Sequence, residues 1–235
     1  MQEQIGAILF RWRNILFPVI FTLLLAFAPP SGPHATETKN LLFWCGLTLA
    51  ACGAGIRLLV ASTHYVKRAG RNGSVHADEL FVGGPFAVTR NPLYVGNVLI
   101  ATGFLVLLGN LSALAVGVPV TILAYQSIIS TEERYLRIRF GQQYENYIRT
   151  VPRWLPDLTR WQASFLNAGF CWRRAIAMDY STTGAVIAGI TIMAIRGDIT
   201  SGTHVPTTLW TMLAGTVVAI VFVRHLKKSG RLLTQ

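Results

Sequence analysis

The stretch that decides the reading opens at Gly83 with GGPFAVTRNPLYVGN, ending at Asn97, and closes from Glu132 to Pro156 with EERYLRIRFGQQYENYIRTVPRWLP. Between these polar tracts lie two apolar blocks, residues 93–108 and 111–129, joined only by Gly109-Asn110. So short a link between apolar helices forces an antiparallel hairpin. A hairpin returns the chain to the side it left, so the two tracts are expected to meet at one face of a membrane and form a pocket there.

Composition supports the membrane setting. Of 235 residues, 52% are apolar and only 13% charged, and the apolar residues come in long blocks. A block of roughly 17 to 25 largely uncharged residues is what a bilayer-spanning helix needs. The expected fold is therefore all-α: a polytopic transmembrane bundle of about six spans, with a cytoplasmic amphipathic helix after the fourth. A net charge of +11 suits an orientation signal in such a protein better than nucleic-acid binding, which is not expected.

Working outward, Arg11 and Arg13 precede an uncharged stretch, residues 14–28. It reads as an uncleaved first span, with a signal peptide cut after Ala26-Phe27-Ala28 as the competing reading. Pro29, Pro30 and Pro33 end it. The second span covers residues 41–62, and Arg57 near its end is expected to snorkel to the headgroups, or less simply to hold a ligand carboxylate. A polar connection, residues 63–90, carries Lys67, Arg68, Arg71, Asp78 and Glu79, with a tight turn at Gly83-Gly84-Pro85. Pro119 is expected to kink the fourth span.

Beyond Ser130, Leu136, Phe140, Tyr144 and Tyr147 or Ile148 recur at helical spacing, which makes an amphipathic helix on the membrane face. Pro152 and Pro156 stop it, and Trp154, Trp161 and Trp172 suit an interfacial belt. Residues 182–195 and 206–223 read as fifth and sixth spans. The chain thus divides into two leading spans (1–62), a core (63–156) and a C-terminal extension (157–235). With six spans, nearly all of the 21 Lys and Arg fall on the side of the two termini and the polar tracts, with Lys39 and Arg196 alone opposite. The positive-inside rule places the termini and the polar tracts in the cytoplasm.

Cys45, Cys52 and Cys171 show neither metal nor disulfide spacing, and Cys45 and Cys52 read as small packing residues. His34, His64, His76, His204 and His225 are scattered, and no metal is expected.

The two tracts resemble the core of the integral-membrane methyltransferases of the isoprenylcysteine carboxyl methyltransferase and phospholipid N-methyltransferase group. That group has Arg-His-Pro-x-Tyr-x-Gly before a hairpin, then paired glutamates, Phe-Gly-x-x-Tyr and a Val-Pro ending. The resemblance covers about a third of the chain. It implies an S-adenosylmethionine-dependent methyltransferase whose amphipathic acceptor enters sideways from the lipid bilayer. A phospholipid amine is the nearest alternative acceptor, and a non-catalytic scaffold or a transporter are the readings from other classes.

By that resemblance, cofactor contacts fall on Asp78, Glu79, Leu80 and Phe81, on Phe86, on Asn91, Pro92, Leu93 and Tyr94, and on Glu132, with Glu133 in the same acidic pair. Arg90 is the weakly supported catalytic candidate. The residue types suit the ligand. Carboxylates can meet its ammonium and ribose, Arg90 and Asn91 its carboxylate, and aromatic rings its adenine, while Gly83, Gly84 and Gly96 permit close approach.

Plainer readings stand beside these. Ser130-Thr131-Glu132-Glu133 fits a capping box. Asn91-Pro92 fits a helix start. Tyr94 suits an interfacial anchor, and Tyr144 and Tyr147 suit packing. Two departures from the group's pattern matter: Asn91 replaces the usual histidine, and Ile128 stands where prenylcysteine methyltransferases carry a substrate-binding arginine.

Overall fold

A computed structural model describes residues 2–27, 36–63, 77–162 and 169–232. The stop at Pro29, Pro30 and Pro33, the cations Lys67, Arg68 and Arg71, and His34, His64 and His76 lie outside them. Among the described residues every regular element is a helix, with no strand. In chain order the elements are α1 (Gln2–Phe27), α2 (Thr36–Thr63), the short α3 (Pro85–Val88), α4 (Pro92–Leu108), α5 (Leu111–Phe140), α6 (Gln142–Thr150), α7 (Trp172–Thr200) and α8 (Thr207–Lys228).

Four stretches are long and apolar enough to cross a membrane: Asn40–Thr63, Leu111–Phe140, Trp172–Thr200 and Thr207–Lys228. The expected six spans are therefore met at four among the described residues. α4 is apolar but has only 17 residues, and α1 is a 26-residue helix that lies along α5.

The α4–α5 hairpin forms as expected. Gly109 ends α4 in the left-handed conformation (φ 67°), which glycine adopts without a Cβ penalty. Asn110 caps α5, its side chain accepting from the Ala113 amide at 2.9 Å.

Lipid tails are as apolar as the side chains, so helices in a bilayer associate through close packing rather than through burial from water. Glycines supply that packing between α2 and α4. A Cβ on Gly103 would lie 2.7 Å from the Gly46 carbonyl and from the Ala50 amide, and one on Gly96 would lie 2.8 Å from the Gly53 carbonyl. Two antiparallel glycine pairs thus bring the backbones together. Ala50, Ile100, Phe104 and Leu108 then pack with Val186 and Met193 of α7 in one core. A second core joins Phe10 of α1 to Tyr125 and Ile128 of α5. α8 runs beside α7 with none of its residues buried.

Two expectations change around α5. The helix carries Pro119 within it and runs for 30 residues, through the point where a separate amphipathic helix was expected to begin. At about 1.5 Å per residue it is some 45 Å long, against a hydrocarbon core of about 30 Å, so it is longer than the apolar layer is thick. Ser130 is mid-helix, its hydroxyl donating to the Gln126 carbonyl at 2.9 Å, so the capping-box reading fails. The break falls at Gly141 (φ 49°), after which α6 carries the rest of the stripe. The stripe itself holds: Leu136, Tyr144, Tyr147 and Val151 are buried together with Ala77, with Leu80, Phe140 and Ile148 against them.

Elsewhere, α7 begins ten residues before the expected fifth span and takes Arg173, Arg174 and Asp179 into its opening turns. Cys45 and Cys52 are exposed rather than packed. Arg57 does not snorkel: it pairs with Asp179.

Candidate functional site

The turn at the head of α4 is laced to the segment that follows α6. Gly84 takes φ 54°, and the amides of Phe86 and Ala87 donate to the carbonyls of Gly83 and Gly84 at 3.1 and 3.0 Å. The Arg90 amide donates to the Pro152 carbonyl at 2.9 Å, and the Asp157 amide to the Val88 carbonyl at 2.9 Å. Asn91 sits at the helix boundary, yet its side chain makes no capping bond. Its Nδ2 donates to the Arg153 carbonyl at 3.1 Å. The Val-Pro ending thereby holds the Arg90-Asn91 turn in place. Past it, hydrogen bonds from Thr159 hold the exposed Asp157 carboxyl below its usual range, where it caps the short turn Leu158–Arg160.

The two acidic neighbours on α5 have different surroundings. Glu133 is buried, with a side chain 7% exposed between two guanidiniums. It accepts from Arg90 Nη1 at 3.0 Å, from Arg153 Nε at 3.0 Å and from Arg153 Nη2 at 2.5 Å. Glu132 is more open at 19%, accepting from the Tyr94 hydroxyl at 2.7 Å, with Arg13 of α1 3.9 Å away. Arg13 also donates to the Tyr94 oxygen at 3.2 Å, its guanidinium 4.0 Å above the Phe10 ring. Tyr94 stacks at a tilt on Tyr125, with ring centroids 5.3 Å apart. Arg90 Nε is buried and has no hydrogen-bond partner among the described residues.

Of the residues singled out in the sequence, Arg90, Asn91, Tyr94, Glu132 and Glu133 come together here. Phe86 is buried nearby, its carbonyl accepting from the Tyr147 hydroxyl at 2.7 Å and its ring edge-on to Phe81 at 5.8 Å. Pro92 is buried in the first turn of α4, and Leu93 is half-buried beside it. Leu80 packs into the α6 core, while Asp78 and Glu79 are exposed.

Two participants were missed. Arg153 was within sight, since it follows the Val-Pro pair directly. Arg13 had no local signal, because its partner Tyr94 is 81 residues away and only the packing of α1 on α5 joins them.

Comparison with known proteins finds similarity over the same stretch of chain. Residues 41–143, from α2 to the start of α6, match the phospholipid methyltransferase family. The similarity to that family is confined to this core. The match takes in Asn91, Tyr94, Glu132 and Glu133, and leaves α7 and α8 outside it.

Among curated relatives, the chain is 30% identical over 148 residues to the cobalt-zinc-cadmium resistance protein CzcN of Cupriavidus metallidurans, covering 63% of each chain. It is 38% identical over 77 residues to the protein-S-isoprenylcysteine O-methyltransferase of Schizosaccharomyces pombe, covering 33% of each. The chain thus spans less than two thirds of the length of either relative. No solved structure matches it significantly. Among the described residues, no group of three or more His, Cys, Asp or Glu is placed to hold a metal ion.

Proposed function

We propose that this protein is a membrane-embedded S-adenosylmethionine-dependent methyltransferase acting on an amphipathic, lipid-like acceptor. One observation carries the reading. Within the stretch that matches the phospholipid methyltransferase family, the Tyr94–Glu132 and Arg90–Glu133 bonds join the two polar tracts at one end of a helical hairpin.

The residues present suit the cofactor. Glu132, partly open and in the polar C-terminal part of α5, offers a carboxylate to an ammonium or to ribose hydroxyls. The Arg90 Nε–H is a buried donor with no acceptor among the described residues, and such a group is costly unless a ligand satisfies it. A carboxylate there would do so. Phe81, Phe86 and Tyr94 supply flat apolar surface for the base. Bound in this way, S-adenosylmethionine would supply an electrophilic methyl group on a sulfonium centre.

The chain's own part is alignment. Arg153 and Arg90 clamp Glu133, Glu133 in turn fixes Arg90, and the Val-Pro ending fixes the backbone on either side of it. Holding acceptor and donor in line with water excluded is the main requirement for methyl transfer to a good nucleophile. We therefore assign Glu132 to the ligand and Glu133 to the scaffold beneath it. The acceptor would reach this pocket from the lipid between helices, on the cytoplasmic side toward which the Lys and Arg distribution points.

Ile128 is fully buried against Phe10 and Tyr125, so no cation for an acceptor carboxylate comes from that position. This favours an amine acceptor as the second reading, in keeping with the family's description.

The test is to incubate the purified protein with methyl-labelled S-adenosylmethionine and total membrane lipid, then extract the lipid and treat it with alkali. Label is expected in the lipid fraction. A methyl ester would release it as methanol, and an N-methyl group would retain it. No label above that of a Glu132→Ala control would refute the reading.

A further inference from the structure

The C-terminal extension lies outside the family match, and no motif in it points to a role. Its first helix nevertheless places a carboxylate inside the bundle. Asp179, in the second turn of α7, has a side chain 3% exposed and forms an ion pair with Arg57 of α2. Arg57 reaches across three helices: Nη1 donates to Asn97 Oδ1 of α4 at 2.6 Å, and Nη2 donates to Asp179 and, at 3.0 Å, to Thr182 Oγ1. Thr183 Oγ1 donates to the other Asp179 oxygen at 3.3 Å. The stem of Arg57 runs under α4 against Gly96, where a Cβ would lie 2.8 Å from Arg57 Cγ.

This cluster stands one turn from the site. Asn97 follows Tyr94 by three residues, which puts both on neighbouring faces of α4. Tyr125 of α5 stacks on Tyr94. Polar contacts therefore run from Asp179 through Arg57 to Asn97, and α4 itself carries the connection one turn back to the Tyr94–Glu132 pair.

Charge is not needed merely to dock α7. Its start is already fastened where the Cys171 amide donates to the Ser62 carbonyl at 3.0 Å and Arg174 to the Thr63 carbonyl at 3.3 Å. Gly189 lies against the Phe104 ring farther along. An ion pair held among apolar helices adds little to stability over a well-packed neutral pair, and its best-attested use is to fix register. Ionisable residues inside a span are costly enough that their presence calls for a role.

We propose that the extension is a working part of the site: Asp179 is the counter-charge that seats Arg57 and, through Asn97, fixes the first turns of α4 so that Tyr94 and Glu132 meet. Asp179 and Arg57 are positioning residues in this account, which rests on the proposed methyltransferase reading.

The test uses the full chain in lipid nanodiscs, with S-adenosylhomocysteine binding read by calorimetry. Asp179→Asn is expected to weaken binding by about tenfold or more, and Asp179→Glu to recover most of it. Adding Tyr94→Phe to Asp179→Asn is expected to cost less than Tyr94→Phe costs alone, because both act on one contact. Should Asp179→Asn fail to fold, the uncharged pair Arg57→Gln/Asp179→Asn replaces it, with the same expected loss. Wild-type affinity in a folded variant, or full additivity with Tyr94→Phe, overturns the proposal. Absence of binding by the wild-type chain instead refutes the methyltransferase reading, so the two failures are distinct.

Discussion

Replacing Glu133 by Gln isolates the charge that holds the two arginines. Glutamine keeps the volume and one acceptor oxygen, so no cavity opens. What is lost is the anion between Arg90 and Arg153, at 3.0 and 2.5 Å, with side chains 15% and 27% exposed. Breaking a buried pair by removing one partner costs about 3–5 kcal/mol, because the other partner is left uncompensated. Both cations keep some access to solvent, so the lower end applies, about 3 kcal/mol. For a chain of this size, about 2–4 °C of melting temperature per kcal/mol gives a fall of roughly 6–12 °C.

The assay is thermal unfolding in detergent, followed by tryptophan fluorescence. Trp154 reports from the affected segment, its Nε1 donating to Gln126 at 2.9 Å. Combining Glu133→Gln with Arg153→Met is expected to cost less than the sum of the two, with a coupling of about 1 kcal/mol or more. A melting temperature within about 2 °C of wild type, or simple additivity, would refute the clamp.

Other consequences follow from single contacts. Tyr94→Phe removes a hydroxyl that bonds a carboxylate but keeps the stack on Tyr125, so melting should change little while S-adenosylhomocysteine affinity falls about tenfold, read by calorimetry. Gly103→Val drives a side chain into the α2 backbone at Gly46 and Ala50 and should destabilise by about 1–3 kcal/mol in the same melt, whereas Gly215→Val, with nothing within 4 Å, should not. Tyr147→Phe leaves the buried Phe86 carbonyl without its side-chain donor and should cost about 1–3 kcal/mol.

The hairpin could be read directly from the sequence, because Gly109-Asn110 between two apolar blocks admits no other connection, and the facing of the two polar tracts followed from it. The run-on of α5 could also have been read: no Gly or Pro lies between Pro119 and Gly141, so nothing in the chain stops a helix at Ser130. Polarity changes there, but a helix leaving a membrane changes polarity without ending.

The contacts that remained hidden join residues far apart. Arg57 and Asp179 are 122 positions apart, and a lone arginine near the end of a span looks the same whether it snorkels or pairs. The seven-residue glycine spacings on α2 and α4 acquire meaning only when the two helices are set side by side. The roles of Glu132 and Glu133 were likewise inseparable in sequence, since the difference between them lies in which arginines the fold brings to each.

The most direct measurement is titration of the purified wild-type protein with S-adenosylhomocysteine beside Glu132→Ala and Trp210→Ala, the last altering an exposed residue of α8. The account predicts saturable binding at one site per chain, weakened about tenfold or more in Glu132→Ala and unchanged in Trp210→Ala. No saturable heat with the wild-type chain, or equal affinity in Glu132→Ala, would contradict it.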